Sequence, residues 1–244
     1  MFNFFKLSII LLIVNPVFAQ DLGMMGYRDY RSVTDLNYIK SVGNQTYKLN
    51  EVSGSPFFNE NFKSGHVIDI ESDNKVKTFL RYDVYNDLFE IKLDLNSESI
   101  KILERSQNYQ YTLNNEKFVL IKYPQVINEG HYISGNGYVV ELTNPSKKAI
   151  LYKRYYVDFN EGRKATSSYD KDTPPSLDLD KRFIIKFNDE YVKAEDHKRK
   201  ILDAFPDKQK EIKKFIKSKN FKFRGDDSKV QMQMIETVKH YNSL

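Results

Sequence analysis

The stretch Phe79–Leu93, FLRYDVYNDLFEIKL, decides the fold. Two runs of alternating apolar and polar residues flank Asn86-Asp87, a pair with turn chemistry. A two-residue turn there sets Tyr85 opposite Leu88, Val84 opposite Phe89, Asp83 opposite Glu90, Tyr82 opposite Ile91, Arg81 opposite Lys92 and Leu80 opposite Leu93. One face is then Leu80, Tyr82, Val84, Phe89, Ile91 and Leu93, a continuous core patch. A three-residue turn would slip the register by one and set this patch against charges, so the pattern itself specifies the pairing. The other face carries Arg81, Asp83, Glu90 and Lys92. Like charges lie directly opposite, but the diagonals Arg81–Glu90 and Asp83–Lys92 are of opposite sign and within reach of long side chains. The expectation is a solvated ionic ladder, in which each exposed pair contributes roughly 0–1 kcal/mol. A general acid and base made of Asp83 and Glu90 is disfavoured, because a cation beside each carboxylate pushes both toward the ionised form.

The same alternation extends outward in both directions. HVIDI, KVKTFL, SIKILER, YQYTL, KFVLIKY, YVVEL, AILYKRYYVDF and RFIIKF are short runs separated by Asn-Ser, Asn-Asn and Asn-Pro-Ser turns. Strands this closely spaced pair antiparallel, since parallel pairing needs long crossovers. The fold class predicted is mainly β (α+β): an antiparallel meander over 46–192 that closes as a barrel, half-barrel or sandwich to protect its edges. Residues 159–181 read as one long polar loop stiffened by Pro174-Pro175.

After Val192 the period changes. Ile201, Leu202 and Phe205 fall at helical spacing before Pro206, and Ile212, Phe215 and Ile216 repeat at i, i+3, i+4 behind a capping Asp207. Asp227 or Ser228 is placed to cap a last helix with Val230, Met234, Val238 and Tyr241 on one stripe. Residues 193–244 are thus a small helical module.

The amino terminus gives a destination. Lys6, an apolar run from Leu7 to Val14 and Val17-Phe18-Ala19 before Gln20 form a secretory signal with cleavage between Ala19 and Gln20. The run is short of the roughly 20 residues needed to span a bilayer. Residues 20–45 are weakly patterned, a mobile or edge segment. The chain contains no cysteine, which excludes disulfides, thiolate metal sites and a lipid-modified cysteine, so residues 20–244 must hold together by their core alone. Seventeen Tyr and seventeen Phe, with no Trp, suit pleated faces.

Charge is divided unevenly. The net charge is +5, yet residues 191–244 carry 14 Lys and Arg against 8 Asp and Glu, a net +6, and residues 20–190 carry −2. Two modules follow more naturally from this than one basic protein.

GSPFFNENFKSG followed by RYDVYNDLFEIK, together with the ending KEIKKFIKSKNFKFRGDDSKVQMQMIETVKHYNSL, resembles a family of exported, β-rich envelope proteins of Bacteroidota. The resemblance implies an envelope or secreted location and supplies no catalytic residues.

Other constellations are weak. DIESDN, 69–74, begins like a calcium loop but lacks its glycine and its closing glutamate, and reads as a strand end running into a turn. SGNGY, 134–138, lacks the helix and lysine of a phosphate loop. His66, His131, His197 and His240 are scattered, so no metal and no cofactor is expected. No Gly-x-Ser-x-Gly elbow occurs. The strongest charge feature is the series from Lys198, Arg199 and Lys200 to Arg224, with Lys210, Lys213, Lys214, Lys217, Lys222 and Arg224 as contacts to an acidic surface. Phe221 and Phe223 interleave with Lys222 and Arg224, which suits either a membrane interface or a core. The function expected is an exported, non-enzymatic binding or interaction protein of the cell envelope, periplasmic or secreted. It would carry an apolar ligand or hold an envelope partner, and meet an anionic membrane surface through the basic module. Nucleic acid is not expected for an exported chain. The alternative is a hydrolase of envelope material, whose sign would be acids, His or Ser gathered at a pocket rim.

Overall fold

The computed structural model describes residues 27–29, 38–40, 46–122, 127–128, 131–132, 136–167 and 169–244. The proposed cleavage site at Ala19 and Gln20 and most of segment 20–45 lie outside them. Sixteen strands occur among the described residues: β1 Tyr27–Asp29, β2 Tyr38–Lys40, β3 Thr46–Lys48, β4 Ser53–Gly54, β5 Lys63–Asp69, β6 Lys75–Asp83, β7 Leu88–Lys92, β8 Lys101–Leu103, β9 Tyr109–Leu113, β10 Glu116–Lys122, β11 Ile127–Asn128, β12 His131–Tyr132, β13 Asn136–Glu141, β14 Ala149–Asn160, β15 Ser176–Phe187 and β16 Glu190–Ala194. A 3₁₀ helix, Lys200–Ala204, and two α-helices, α1 Gln209–Ser218 and α2 Asp227–Tyr241, follow. The main sheet runs β1-β8-β7-β6-β5-β9-β10-β13-β14-β15-β16, with β4 added in parallel beside β15. All other pairings in that order are antiparallel, so the mainly β fold with a small helical module is as the sequence indicates. The sheet ends at β1 and β16 and does not close.

It does curl. β7 and β13 are five strands apart, which is about 24 Å in a flat sheet. The Phe89 and Tyr138 rings on them nevertheless meet edge to face with centroids 5.0 Å apart. Phe89 also stacks on Tyr111 at 4.2 Å and on Tyr82 at 4.8 Å, and Tyr82 meets Phe118 at 5.3 Å. These five rings, all buried, fill the concave side with Val67, Leu80, Ile91, Leu103, Leu113 and Val140. Burying each of these large side chains contributes roughly 1.5–3 kcal/mol.

The opening hairpin departs from the expected register. β6 and β7 pair as Phe79↔Lys92, Leu80↔Ile91, Arg81↔Glu90, Tyr82↔Phe89 and Asp83↔Leu88. The turn is therefore residues 84–87, four rather than two. A shift of two preserves the faces, because side chains alternate with period two. It is held by Asp83, whose carboxylate accepts from Asn86 N at 2.9 Å and Asn86 Nδ2 at 2.8 Å, and by Asp87 in the left-handed region with φ 53. Leu93, on the far side of the pairing, is 47% exposed and outside the core.

The ladder is not solvated. Asp83 and Glu90 are 1% and 2% exposed. The strap 55–62 crosses this face: Phe57 pairs with Asp83 as an isolated bridge, and the Arg81 guanidinium lies 3.8 Å from the Phe57 ring and 4.6 Å from the Phe62 ring. Arg81 Nε donates to Glu90 Oε2 at 2.6 Å, so the opposite charges face each other directly. Burial pushes both carboxyls above their ordinary values, against the opposing pull of the Asn86 hydrogen bonds on Asp83 and of Arg81 on Glu90. Burial outweighs the neighbouring cations, the reverse of what the alternation of charges along the hairpin suggests.

The expected loop 159–181 is shorter. β14 and β15 pair over twelve residues, from Ala149↔Phe187 to Asn160↔Ser176, and Leu177 is buried against Val52. The alternation Ser176-Leu177-Asp178-Leu179-Asp180 is a strand pattern that the acidic composition masks.

The helical module packs on the sheet and on itself. Ile201, Phe205, Ile212, Ile216, Val230, Met234, Val238 and Tyr241 join Leu151, Phe183, Ile185 and Phe187 in one core. Phe221 and Phe223 are buried in the same cluster, so they are core rings and do not face a membrane. Lys208, at φ 56 and without a side-chain bond, precedes α1 where Asp207 was the expected cap. Asp226, not Asp227 or Ser228, caps α2 by accepting from Lys229 N at 2.9 Å. Beyond α2, the Asn242 amide pairs reciprocally with Ala149, accepting from its N at 2.9 Å and donating to its O at 2.8 Å. No helix among the described residues is long and apolar enough to cross a membrane.

Candidate anion-binding face

Three constellations of charge stand out, and they differ in what they leave available. The first is centred on Asp87, buried with Tyr82, Tyr138 and Arg154, while Arg105 reaches it from the surface. Asp87 Oδ1 accepts from Tyr82 OH at 2.6 Å and from Tyr138 N at 3.2 Å, while Oδ2 accepts from Arg105 Nη2 at 2.7 Å and lies 3.8 Å from Arg154 Nη2. Arg105 also donates to Asn136 O at 3.0 Å. Gly137 makes room for this cluster, since a Cβ there would stand 2.6 Å from the Arg154 guanidinium carbon. Burial, then the Asp87 charge, pushes the Tyr82 phenol well up. Each oxygen of Asp87 is committed to donors from elements far apart in sequence. The arrangement ties the β6–β7 turn to β13 and β14.

The second lies in a cleft of about 450 Å³ between the sheet and α2. Lys153 Nζ, buried, donates to Glu116 and, at 2.8 Å, to Gln231 Oε1 on α2. Tyr155 OH donates to Glu116 at 3.0 Å, and Lys181 pairs with Asp227 at the start of α2. Burial and then Glu116 hold the Tyr155 phenol far above its ordinary value, so it is a fixed donor and not a base. These groups satisfy one another and latch α2 to β14 and β15. None is a nucleophile beside an activating base, the arrangement that acyl transfer requires.

The third is on the helical module and is open. A groove of about 820 Å³ brings together Lys198, Arg199, Lys222, Arg224 and Lys229 with His197 and Gly225, and no carboxylate lines it. Among the described residues none of these five cations is in an ion pair; the nearby bridges are Lys181–Asp227, Lys193–Glu195 and Lys200–Glu195. A second groove of about 490 Å³ adjoins it, sharing Lys198 and Arg199 and adding Lys213, Lys217 and an apolar floor of Leu202 and Ile216. The local sequence explains the first groove. Phe221 and Phe223 turn inward, so Lys222 and Arg224 between and after them turn out. Phe223 N donates to the buried Gln233 Oε1 at 2.7 Å, which fixes this segment against α2. Gly225, at φ +116, then turns the chain into the Asp226 cap and sets Lys229 beside Arg224.

Of the residues predicted from sequence, Lys222 and Arg224 line the first groove and Lys213 and Lys217 the second. Lys210 and Lys214 are exposed on the same side of α1, opposite Ile212 and Ile216, but line neither. Lys198 and Arg199, which join the two grooves, and Lys229 were not among the predicted contacts. The Phe-Lys-Phe-Arg alternation carried the signal for part of this, while the approach of residues 197–199 is tertiary. No group of three or more His, Cys, Asp or Glu suited to a metal occurs among the described residues. DIESDN is a turn closed by Asp69 Oδ1, which accepts from Glu71 N at 2.9 Å. Residues 136–138 of SGNGY begin β13, and residues 134–135 lie outside the described residues. No protein-family model, no curated protein and no solved structure matches the chain.

Proposed function

We propose that this chain is an exported, non-enzymatic binding protein of the cell envelope that meets an anionic partner surface through its basic helical module. The observation that carries the reading is the groove of Lys198, Arg199, Lys222, Arg224 and Lys229 with no carboxylate in its lining. Like charges gathered without counter-charge raise one another's energy, and an anionic partner relieves that repulsion. The apolar-carrier version has less support. The inward rings of Tyr82, Phe89, Tyr111, Phe118 and Tyr138 pack on each other and take up the concave side that a ligand would occupy. The envelope location rests on the amino-terminal signal.

Co-sedimentation of the intact protein with vesicles tests the reading. Phosphatidylglycerol vesicles should bring the protein down at low salt, phosphatidylcholine vesicles should not, and raising the salt should release it. Failure to bind anionic vesicles at low salt, or equal binding to both compositions, would overturn it.

A further inference from the structure

The two adjoining grooves differ in chemistry. The larger has cations on all sides, contributed by three separate pieces of chain: residues 198–199, residues 222 and 224, and residue 229. Two of its five cations are arginines, whose planar forks match the oxygens of a phosphoryl group two at a time. A single carboxylate would leave most of that charge uncompensated, whereas a phosphomonoester or a pair of phosphoryl groups would balance far more of it. The smaller groove shares Lys198 and Arg199 as its wall, but its floor is Ile216, buried, and Leu202, half-buried. A charged head in the first groove therefore lies one side chain away from an apolar strip in the second.

The cationic segment is also held in place. Phe223 occupies the left-handed region at φ 50, a conformation that is strained for a residue other than glycine. Burial of its ring and the bond from its N–H to Gln233 maintain it. The result is that Lys222 and Arg224 project from an anchored segment and not from a free tail. The Asp226 side chain accepts from Lys229 N, and Asp227 and Ser228 do not line this groove, so its anion-binding groups are side chains.

We infer that these two grooves form one site for a phosphorylated amphiphile: its phosphorylated head among Lys198, Arg199, Lys222, Arg224 and Lys229, its first apolar atoms over Leu202 and Ile216. This rests on the anionic-surface reading above and sharpens it from a charged face to a built site. The two readings separate in one experiment. Binding of the intact protein to phosphatidylcholine vesicles doped with phosphatidic acid is measured for the wild type, for Lys222→Ala/Arg224→Ala and for Lys210→Ala/Lys214→Ala. Both double variants remove two exposed positive charges from the module, but only the first removes them from a groove. The groove variant should weaken binding roughly tenfold or more, and the α1 variant less than about threefold. Equal losses would overturn the site and leave the diffuse charged face standing; no binding by the wild type would overturn both. Titration with inorganic pyrophosphate separates the ligand's source. Pyrophosphate should bind more weakly than the doped vesicles, and weaker still in the groove variant. Pyrophosphate binding as tight as vesicle binding would show a free-phosphate site and overturn the amphiphile.

Discussion

Arginine serves two opposite ends in this molecule. In the sheet domain, the buried Arg154 and the partly exposed Arg105 converge on Asp87, and Arg81 packs against two phenylalanine rings with its Nε on Glu90. On the helical module, Arg199 and Arg224 share a groove with three lysines and no carboxylate. The difference follows from the solvent. A charge taken out of water must be matched by partners, because leaving it bare costs several kcal/mol. A charge left in water costs little when unmatched and contributes little to stability when paired. Pairing thus marks the sheet charges as part of the structure, and convergence without pairing marks the module charges as available to something else.

The comparison breaks first, and hardest, at Asp87. Asp87→Ala removes the carboxylate that Arg105 and Arg154 approach and the acceptor of the Tyr82 hydroxyl and the Tyr138 N–H at once. The expected loss is about 3–5 kcal/mol, the range for removing one member of a buried charge pair. Urea unfolding reads it directly. A loss below about 1 kcal/mol would show that water reaches this cluster and that its charges belong with the exposed ones.

A smaller and more diagnostic effect belongs to Asp83. Asparagine is its isostere, and rotating the Asn86 amide lets residue 83 keep both contacts, so Asp83→Asn should stay within about 1 kcal/mol of the wild type at neutral pH. The pH dependence should change. Burial raises the Asp83 carboxyl in the folded state above its unfolded value, so the folded protein holds the proton more tightly. Its contribution to stability is therefore full below the unfolded pKa and declines as pH rises through the raised folded value. Relative to Asp83→Asn, the wild type should gain stability as pH is lowered through the upper carboxylate range. A difference that moves the other way, or none, would mean that the Asn86 bonds and Arg81 outweigh burial.

How far the sequence discloses such distinctions depends on what each one is made of. The faces of the Phe79–Leu93 hairpin were legible, because period two is local: Leu80, Tyr82, Val84, Phe89 and Ile91 are all buried. The pairing was off by two, since the turn is closed by Asp83 and Asp87 side chains whose partners include Tyr138, far along the chain. The burial of the charged face was not legible from the hairpin at all. It comes from the strap 55–62, which lies over Arg81 in space. The stripe Val230, Met234, Val238 and Tyr241 was legible for the same local reason as the strands. In the module, the clustering of charge along the chain pointed to the right region. The choice of Lys222 and Arg224 with Lys198, Arg199 and Lys229, and the exclusion of Lys210 and Lys214 from both grooves, needed the fold.

The smallest expected effect sharpens the comparison most. Lys222→Ala/Arg224→Ala should change the unfolding free energy by less than about 0.5 kcal/mol, because both side chains are exposed and neither is ion-paired among the described residues. It should if anything be slightly stabilising, since it relieves repulsion with Lys198, Arg199 and Lys229. Thermal unfolding at low and moderate salt reads both parts, for screening should erase the gain. Stabilisation that vanishes with salt would show directly that the native groove is under electrostatic strain in the absence of an anion. A loss above about 1 kcal/mol would place these cations with Arg81 and Arg154, as parts of the structure, and would remove the ground for treating the groove as a place where something else binds.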